Sequence, residues 1–251
     1  MTDAGNGQLS RPSIPEILAA KHLWYHTIDL AKGVTTPGWI DLRKVIKAPG
    51  IPKNLTGKRA LDLGMFDGFW AFEMERRGAR VIGVDIDEIP PPDTPRIHRA
   101  RMEAEADGAQ PGTGFHLLKR YFGSSVDRRS LNVYDLSPDR VDGPADLAFL
   151  GALLLHLRDP VRALERIHDT LTPDGLLICF EPVDHELSRS REPQARYLAY
   201  TTPWTWWYPN QACIEQWLRT AGFREVEVRS TTWVTDRDGL RQELATVHAR
   251  P

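Results

Sequence analysis

Short apolar runs alternate with amphipathic stretches along the chain from residue 59 onward. Such runs are typical of buried strands, and apolar positions spaced three or four residues apart are typical of helices. The runs predicted as strands are Ala60–Leu63, Arg80–Ile86, Ser130–Val133, Ala145–Leu150, Gly175–Glu181, Glu225–Ser230 and Glu243–His248. The stretches predicted as helices are Trp70–Arg77, Gly114–Phe122, Pro160–Thr170 and Asn210–Ala221.

This order of elements predicts the fold class. Strands that alternate with helices are joined by right-handed crossovers, which produce a mostly parallel sheet with helices on both faces. Only TTWVTDRDGL separates the last two strands, so we expect them to pair as an antiparallel hairpin. The prediction is a Rossmann-like, doubly wound α/β fold with a mostly parallel seven-stranded sheet. A Pro-rich and then charged stretch, residues 87–114, is expected to form a loop and a solvated helix.

The first 58 residues have a different pattern. Residues 1–13 are polar and Gly-rich, which predicts a disordered tail. From Ile14 to Ala31 the apolar residues recur at helical spacing, and Pro and Gly breakers follow up to the first strand. We therefore expect an N-terminal helical cap over residues 14–58 and a cofactor-binding core over residues 59–251.

Composition narrows the classes of partner. The 32 cationic and 34 acidic side chains give a formal net charge of −2, so no basic field favours nucleic acid, although that partner stays open. The longest near-apolar run, Leu147 to Leu157, is too short to span a bilayer, and no signal peptide is evident. Two cysteines, Cys179 and Cys213, suit a reducing compartment. We expect a cytoplasmic protein with no membrane partner, and the oligomeric state stays open.

The stretch LDLGMFDGFW, residues 61–70, follows the first core strand, where ligands of open α/β sheets bind. Gly64 permits a sharp turn, and Gly68 permits close packing of the next helix. The spacing is G-x-x-x-G, and Asp67 would repel a pyrophosphate at the helix N-terminus. Asp85 lies 21 residues after Gly64, where a carboxylate can bind ribose hydroxyls. The site therefore favours a phosphate-free nucleoside with positive charge, beside Asp62 and Asp67, and S-adenosylmethionine meets that description.

Three motifs resemble those of class I S-adenosylmethionine-dependent methyltransferases: LDLGMFDGFW, VIGVDID and ADLAFLGALLLHLRDP, in order within residues 59–183. The alternative is a nicotinamide-binding or purely structural Rossmann-like turn. WYHTIDL, TPGWIDLR, FDGFWAFEMERRGA, LHLRDPVRALE and WWYPNQACIEQWLRTAGF further resemble the branch that methylates or carboxymethylates 5-oxyuridine at the tRNA wobble position. Leu155 stands where that branch usually has a tyrosine, which favours a small-molecule substrate over tRNA.

The motif positions and the resemblance give a set of expected cofactor contacts. Gly64 and the backbone near Met65 would cradle the methionine part, Asp62 would hold the loop or the ammonium group, and Asp85 would bind the ribose. The resemblance places the adenine beside Asn132 and Val133. The complete expected set is Asp62, Gly64, Met65, Phe66, Asp85, Ile86, Asn132, Val133, Leu150 and Gly151.

Catalysis and acceptor binding are expected at the strand ends and in the cap. His156 follows the fourth core strand and is the candidate general base, because an imidazole titrates near neutrality; the alternative is a loop-shaping histidine. The candidate substrate contacts are Tyr25, His26, Glu181, Trp206 and Trp207, although packing, loop anchoring or an aromatic plug would also explain them. The eight histidines are scattered, so we expect metal-independent chemistry.

These expectations describe an enzyme. It would transfer a methyl group from S-adenosylmethionine to an oxygen, nitrogen or carbon atom of a small metabolite by in-line displacement, in bacterial biosynthesis, and release S-adenosylhomocysteine. One alternative is a methyltransferase that modifies the tRNA wobble uridine. The other is a protein that binds S-adenosylmethionine without methylating.

Overall fold

A seven-stranded sheet forms the centre of the computed structural model, which describes residues 10–105 and 110–251. The strands of the chain are β1 (Asp29–Ala31), β2 (Val34–Thr35), β3 (Arg59–Leu63), β4 (Arg80–Asp85), β5 (Asp127–Ser130), β6 (Ala145–Gly151), β7 (Leu171–Val183), β8 (Ala195–Tyr197), β9 (Trp207–Pro209), β10 (Glu225–Thr235) and β11 (Arg241–Arg250). The α-helices are α1 (Ile14–Ala19), α2 (Phe69–Arg76), α3 (Arg96–Glu105), α4 (Thr113–Phe122), α5 (Pro160–Thr170) and α6 (Gln211–Thr220).

The strand order confirms the predicted topology. Across the sheet the strands run β10-β11-β7-β6-β3-β4-β5. Strands β7, β6, β3, β4 and β5 pair in parallel, whereas β11 is antiparallel to both β7 and β10. The fold is therefore a Rossmann-like α/β sheet, mostly parallel, with an antiparallel C-terminal hairpin. Among the described residues, no helix combines the length and the apolar content needed to cross a bilayer.

The third core strand lies earlier in the chain than we predicted from the apolar residues nearby. We predicted Ser130–Val133, but β5 is Asp127–Ser130 and Val133 begins a 3-10 helix. β5 is at the edge of the sheet and pairs only with β4, so its DRRS sequence can be polar. Leu131 and Val133 are apolar because they are buried in the connection that follows.

The N-terminal prediction is wrong beyond Ala19. Helix α1 begins with a capping box between Ser13 and Glu16 and ends after one and a half turns, at Ala19. The next residues run mostly extended, with a short β1–β2 hairpin, and a 3-10 helix follows at Arg43–Val45. The helix-like spacing arose because Trp24, Ile28 and Leu30 are buried individually along irregular chain. Of the predicted tail, residues 1–9 lie outside the described residues.

Two apolar clusters flank the sheet. One contains Leu61, Leu63 and the inner faces of α5 and α6. The other contains α2, α4 and the N-terminal segment, which we define as residues 10–58 and which contributes Ile17, Trp24, Ile28, Leu30, Ile40, Leu42, Ile51 and Leu55. The N-terminal segment thus packs directly on the sheet face beside the carboxyl ends of the parallel strands.

Candidate active site

The connection between β3 and α2 makes the bend predicted from its glycines. Gly64 and Gly68 have φ angles of +73° and +83°, in the left-handed region that favours glycine. The Gly64 N–H donates to Val84 O at 2.9 Å, and the Gly68 N–H donates to Met65 O at 2.7 Å. A Cβ atom on Gly68 would lie 2.8 Å from the Phe115 ring. Both the turn and the close packing therefore require glycine.

Asp62 lies beneath this bend with one carboxylate oxygen unused. Its side chain is buried, and Oδ2 has no hydrogen-bond partner. Burial raises its pKa to about 8, against the opposing effect of a hydrogen bond from the Ala71 N–H in the first turn of α2. A buried acceptor without a partner is costly, and an ammonium donor at this position would satisfy it.

Asp85 ends β4 and is held by two backbone donors. The Phe66 N–H donates to Oδ2 at 2.7 Å, and the Ile86 N–H donates to Oδ1 at 2.8 Å. Burial raises the pKa of Asp85, while these two donors act in the opposite direction. The carboxylate is thus fixed at the strand end beside the bend, and each oxygen keeps a further lone pair for a hydroxyl group.

The sequence suggested that Asp67 provides negative charge to a cofactor, but in the structure its carboxylate is bound by groups of the protein itself. Its side chain has no exposed surface, and Oδ1 accepts a hydrogen bond from His22 Nε2 at 2.7 Å. Oδ2 accepts from the N–H groups of Tyr25, at 2.7 Å, and His26, at 3.0 Å. Asp67 therefore attaches the N-terminal segment to the bend, an arrangement that sequence spacing cannot reveal.

The connection after β5 holds the residues expected beside adenine. Asn132 caps the 3-10 helix that begins at Val133, with Oδ1 accepting the Tyr134 N–H at 3.0 Å. The Leu131 N–H donates to Asp85 O at 2.8 Å, so this connection stays next to the end of β4. Asn132 and Asp85 are therefore brought to the same edge of the sheet.

Two non-glycine residues near the bend have left-handed backbone angles. Phe66, after β3, has φ +43°, and Ala152, after β6, has φ +58°. The strands pair Leu63 with Leu150, so the segments after them emerge side by side. Backbone strain of this kind persists where the surroundings enforce it and clusters at functional sites. Both strained residues therefore lie at the carboxyl ends of neighbouring strands, β3 and β6.

Glu181 anchors the loop after β6. Its Oε1 accepts the N–H groups of Leu153, at 2.8 Å, and Leu154, at 3.2 Å, and burial raises its pKa to about 8. Along β7, Phe180 belongs to the apolar cluster that contains the N-terminal segment. Because side chains alternate along a strand, Glu181 belongs to the opposite face. Glu181 therefore anchors the loop after β6, whereas the sequence had suggested that it binds substrate or anchors the aromatic loop before α6.

A narrow cleft separates the N-terminal segment from the strand ends. It is lined by Tyr25, His26, Ile40, Leu42, Trp70, Gly151, Ala152, Phe180, Pro182, Gln242 and Leu244. Its volume of about 20 Å³ admits roughly one water molecule. The structure thus brings Tyr25 and His26 together with Gly151, as a shared site requires. We call this space the Tyr25–His26 cleft.

Both polar rings of this cleft are electrically neutral at pH 7. Burial lowers the pKa of His26 to about 4, although Asp67 acts in the opposite direction. Burial, with the acidic Glu181, Asp236 and Asp67 nearby, raises the pKa of Tyr25 to about 12. No Lys or Arg is among the described residues that line the cleft. The lining therefore favours an uncharged group.

His156, Trp206 and Trp207 are not among the described residues that line the cleft. His156 Nδ1 contacts the Trp204 carbonyl oxygen, which can only accept, so Nδ1 carries the proton and Nε2 is the free basic atom. Burial lowers the pKa of His156. The Trp206 indole donates to Asp93 O at 2.6 Å, and the Trp207 indole donates to Arg158 O at 3.1 Å. Trp206 and Trp207 thus fasten the segment before α6 to neighbouring loops.

Sequence reasoning missed several residues of this region. Trp70, Phe180 and Leu244 line the cleft but have the apolar character of any core residue. Asp93 accepts from Tyr134 Oη at 2.6 Å and from the Arg158 N–H at 2.7 Å, joining three loops. Antiparallel pairing places the start of β11 next to the end of β7, where Leu244 pairs with Pro182. The predicted hairpin could therefore have identified Leu244 as a residue near the carboxyl ends of the parallel strands.

Within residues 10–105 and 110–251, no three His, Cys, Asp or Glu side chains converge as metal ligands would.

Comparisons with known proteins agree with this geometry. A family model described as a methyltransferase domain matches residues 40–228. The tRNA U34 carboxymethyltransferase of Azotobacter vinelandii is 30% identical over 195 residues, which cover 72% of this chain and 54% of that protein. The enzyme of the same name from Desulforapulum autotrophicum is 26% identical over 197 residues, covering 72% and 52%. The chain therefore spans about half the length of the curated relatives it matches.

Solved structures of methyltransferases share the fold. The 1,6-didemethyltoxoflavin-N1-methyltransferase of Burkholderia thailandensis superposes with a TM-score of 0.53 at 18% identity, covering 82% of this chain and 75% of that one. The magnesium protoporphyrin IX methyltransferase of Synechocystis gives 0.52 at 14% identity, covering 84% and 78%. With a family model matched over most of its length and the strand order of this fold, the chain belongs to the methyltransferase domain family and has the fold of class I S-adenosylmethionine-dependent methyltransferases.

Proposed function

We propose that this protein transfers a methyl group from S-adenosylmethionine to a small, uncharged acceptor group in the Tyr25–His26 cleft, releasing S-adenosylhomocysteine. The observation that carries the proposal is the position of Gly151, which ends β6 beside the bend at Gly64 and also lines the cleft. A cofactor held at the bend and an acceptor held in the cleft would meet at Gly151.

The residues at the bend fit the cofactor. The buried, unpaired Oδ2 of Asp62 supplies an acceptor for an ammonium group, and the fixed carboxylate of Asp85 supplies acceptors for ribose hydroxyls. Gly64 and Met65 would bind the methionine part, with Leu150 and Gly151 at the sulfonium end. When bound, S-adenosylmethionine supplies a methyl group on a sulfonium. Phe66, Ile86, Asn132 and Val133 complete the proposed contacts.

Proton removal from the acceptor is proposed for a histidine. His26 lines the cleft, and its Nδ1 lies 3.9 Å from Asp67 Oδ2, which leaves Nε2 as the ring nitrogen available to the cleft. Because burial lowers the pKa of His26 to about 4, His26 would be a weak base at neutral pH, and the nearby carboxylate would offset only part of that effect by stabilising the imidazolium. His156 Nε2 is the second candidate, with its tautomer fixed by the Trp204 carbonyl. Tyr25 would orient the acceptor through its hydroxyl group.

The character of the cleft favours a methyl group over a carboxymethyl group. A carboxymethyl group carries a negative charge, and none of the described lining residues is a cation that would neutralise it. The narrow space favours a small acceptor group that enters when the N-terminal segment shifts, since such segments commonly gate active sites. A small metabolite is therefore the first substrate class.

The tRNA wobble uridine is the second candidate substrate. It is favoured by the 30% identity to the carboxymethyltransferase of Azotobacter vinelandii, named for U34 of tRNA. The net charge of −2, which provides no overall basic field for nucleic acid, favours the first candidate.

The first experiment tests the cofactor site. Calorimetry with S-adenosylhomocysteine should detect binding to the unmodified protein and a loss of about ten-fold or more for Asp85→Asn, because a charge-assisted hydrogen bond is lost. Asp139→Asn, an exposed acid, serves as the matched control and should bind normally. Equal affinity for Asp85→Asn and the control would refute the placement of the ribose.

The second experiment identifies the acceptor class. The protein is incubated with S-adenosylmethionine labelled in its methyl group, and separately with a bacterial small-molecule extract and with tRNA that lacks wobble modification. Label in the metabolite fraction, lost in His26→Phe and retained in His168→Gln, which replaces a half-buried histidine on α5, would support the proposal. Label in tRNA alone would select the second candidate. Cofactor binding without any transfer would support the non-methylating alternative.

A further inference from the structure

A second cleft begins directly after Asn132 and Val133, at the 3-10 helix that follows β5. It is open to solvent, has a volume of about 440 Å³, and is formed between the 3-10 segments after β5 and the outer face of α5. Its polar lining consists of Tyr134, Asp135, Ser137, Arg140, Arg162 and Arg166. It shares no lining residue with the Tyr25–His26 cleft. We call it the arginine cleft.

The arginine cleft has an excess of positive charge. Arg140, Arg162 and Arg166 are exposed, and no carboxylate of the described residues forms an ion pair with any of them. Arg129, close to Arg140 in the fold, instead pairs with two carboxylates, of Asp127 and Asp142. Three guanidinium groups therefore face one acid, Asp135, in the lining.

The arrangement of these arginines is unfavourable for the protein alone. Arg162 and Arg166 are four residues apart on α5, where like charges destabilise a helix. Arg162 is nevertheless held in place, with its guanidinium carbon 5.1 Å from the centre of the Tyr134 ring. A like-charged pair that breaks a local rule is expected at a functional site, and here a bound anion would compensate the charge.

Tyr134 gives the arginine cleft a rigid floor. Its hydroxyl donates to Asp93 Oδ2 at 2.6 Å and accepts the Asp159 N–H at 2.9 Å. Asp159 also caps α5, because its Oδ1 accepts the Arg162 N–H at 3.0 Å. The backbone that carries Arg162 is therefore held from two sides. Binding of a ligand would cost little further ordering of this backbone.

We propose that the arginine cleft binds a ligand carrying at least two neighbouring phosphate groups. Guanidinium groups match phosphate oxygens in charge and in their planar, forked geometry, and they are weakly hydrated. The Ser137 hydroxyl adds a neutral donor at the same wall. Two sources provide this chemistry: a small phosphorylated molecule or consecutive phosphodiesters of a nucleic acid. The proposal does not depend on the identity of the methyl acceptor.

Calorimetry at low salt with two probes, pyrophosphate and a twelve-residue single-stranded RNA, tests the proposal and separates the sources. The double variant Arg140→Gln/Arg166→Gln should weaken binding of the cognate probe by roughly a hundred-fold, about ten-fold for each charge-assisted contact. The matched control Arg191→Gln/Arg224→Gln removes two exposed arginines elsewhere. It should change the affinity for the same probe by less than about three-fold, because salt screens charges that are far from the ligand.

A gain-of-binding variant guards against misfolding. Asp135→Asn removes the single acid of the lining, so it should tighten binding of the same probe, which a damaged fold would not do. Tight pyrophosphate binding indicates a small phosphorylated ligand, whereas binding of RNA alone indicates phosphodiesters. Failure of both probes to bind, equal losses in the two double variants, or weaker binding by Asp135→Asn would each overturn the proposal.

Discussion

Asp67 connects the bend after β3 to His26, with Asp67 Oδ2 lying 3.9 Å from His26 Nδ1 and 3.0 Å from the His26 backbone nitrogen. The same carboxylate holds His22 and the backbone of Tyr25. Because the carboxylate is shielded from solvent, these interactions are stronger than they would be at the surface. The bend after β3 and the Tyr25–His26 cleft, which are the proposed cofactor and acceptor sites, are thus parts of one hydrogen-bonded unit.

Replacing Asp67 by Asn should damage both stability and activity. The amide retains one acceptor oxygen but presents a donor to either the His22 ring or the two backbone N–H groups. Each donor left without an acceptor costs about 1–3 kcal/mol. Urea denaturation should therefore show a loss of about 2–4 kcal/mol in the free energy of unfolding, and the remaining folded protein should have a raised KM for the acceptor.

The exposed Asp139→Asn is the matched control for this change and should alter the free energy of unfolding by no more than about 0.5 kcal/mol. An Asp67→Asn variant as stable as that control would show that the network contributes nothing to folding.

Glu181 should make stability fall as the pH rises. Its pKa is about 8 in the folded protein and near 4.5 when unfolded, so between these values the folded state retains a proton that the unfolded state has lost. Stability from this group therefore decreases from about pH 4.5 to pH 8 and is constant outside that window. In Glu181→Gln the effect is absent, while Oε1 can still accept the Leu153 and Leu154 N–H groups.

The measurement is the free energy of unfolding of both proteins at pH 5, 6, 7 and 8. The difference between Glu181→Gln and the unmodified protein should grow in favour of the variant by up to about 1.4 kcal/mol per pH unit. Asp62 and His26 titrate in both proteins and cancel in this comparison. A difference that does not change with pH would contradict a protonated Glu181 in the folded state.

The bend and the strand order could be predicted from sequence because their signals are local. Gly64 and Gly68 follow an apolar run, and this pattern predicts a turn with left-handed backbone angles. Asp85 can be identified because it comes at the end of a predicted strand. The strand-to-helix rhythm then determines which strand ends meet. The edge of the sheet where we propose that the cofactor binds can therefore be predicted from a few residues of sequence.

The acceptor side could not be predicted because its signals are not local. Asp67 meets its partners Tyr25 and His26 about forty residues earlier in the chain, and no spacing rule encodes that contact. Trp24, Ile28 and Leu30 mimic a helix because buried residues of irregular chain also recur every few positions. The apolar side chains indicate which residues are buried. The path of the backbone between them depends on the surfaces that the segment packs against, which the local sequence does not specify.

His156 should control the mobility of the segment after β8. Its Nδ1–H holds the Trp204 carbonyl, and the Trp206 N–H donates to Leu155 O at 2.7 Å next to it. In His156→Ala the first of these contacts is lost, so limited proteolysis should cut near residues 199–205 several-fold faster, as about 1 kcal/mol of local stability corresponds to roughly five-fold in open population. His168→Ala, on α5, should leave the rate unchanged. Equal rates would show that Trp206 alone secures this segment.

Gly68 should tolerate alanine far less than Gly33 does. Both have left-handed backbones, with φ +83° and +75°, so alanine costs each of them a similar amount, about 1 kcal/mol. A Cβ atom on Gly33 meets nothing within 4 Å, whereas one on Gly68 lies 2.8 Å from Phe115 and 3.0 Å from Phe72. Gly68→Ala must also displace these packed rings, which adds about 1–3 kcal/mol. Thermal denaturation should therefore rank Gly68→Ala below Gly33→Ala, and S-adenosylhomocysteine affinity should fall only for Gly68→Ala, since the bend is the proposed cofactor site. Equal melting temperatures would mean that α2 can move away from Phe115 without cost, and the close packing at the bend would then have no role in shaping the site.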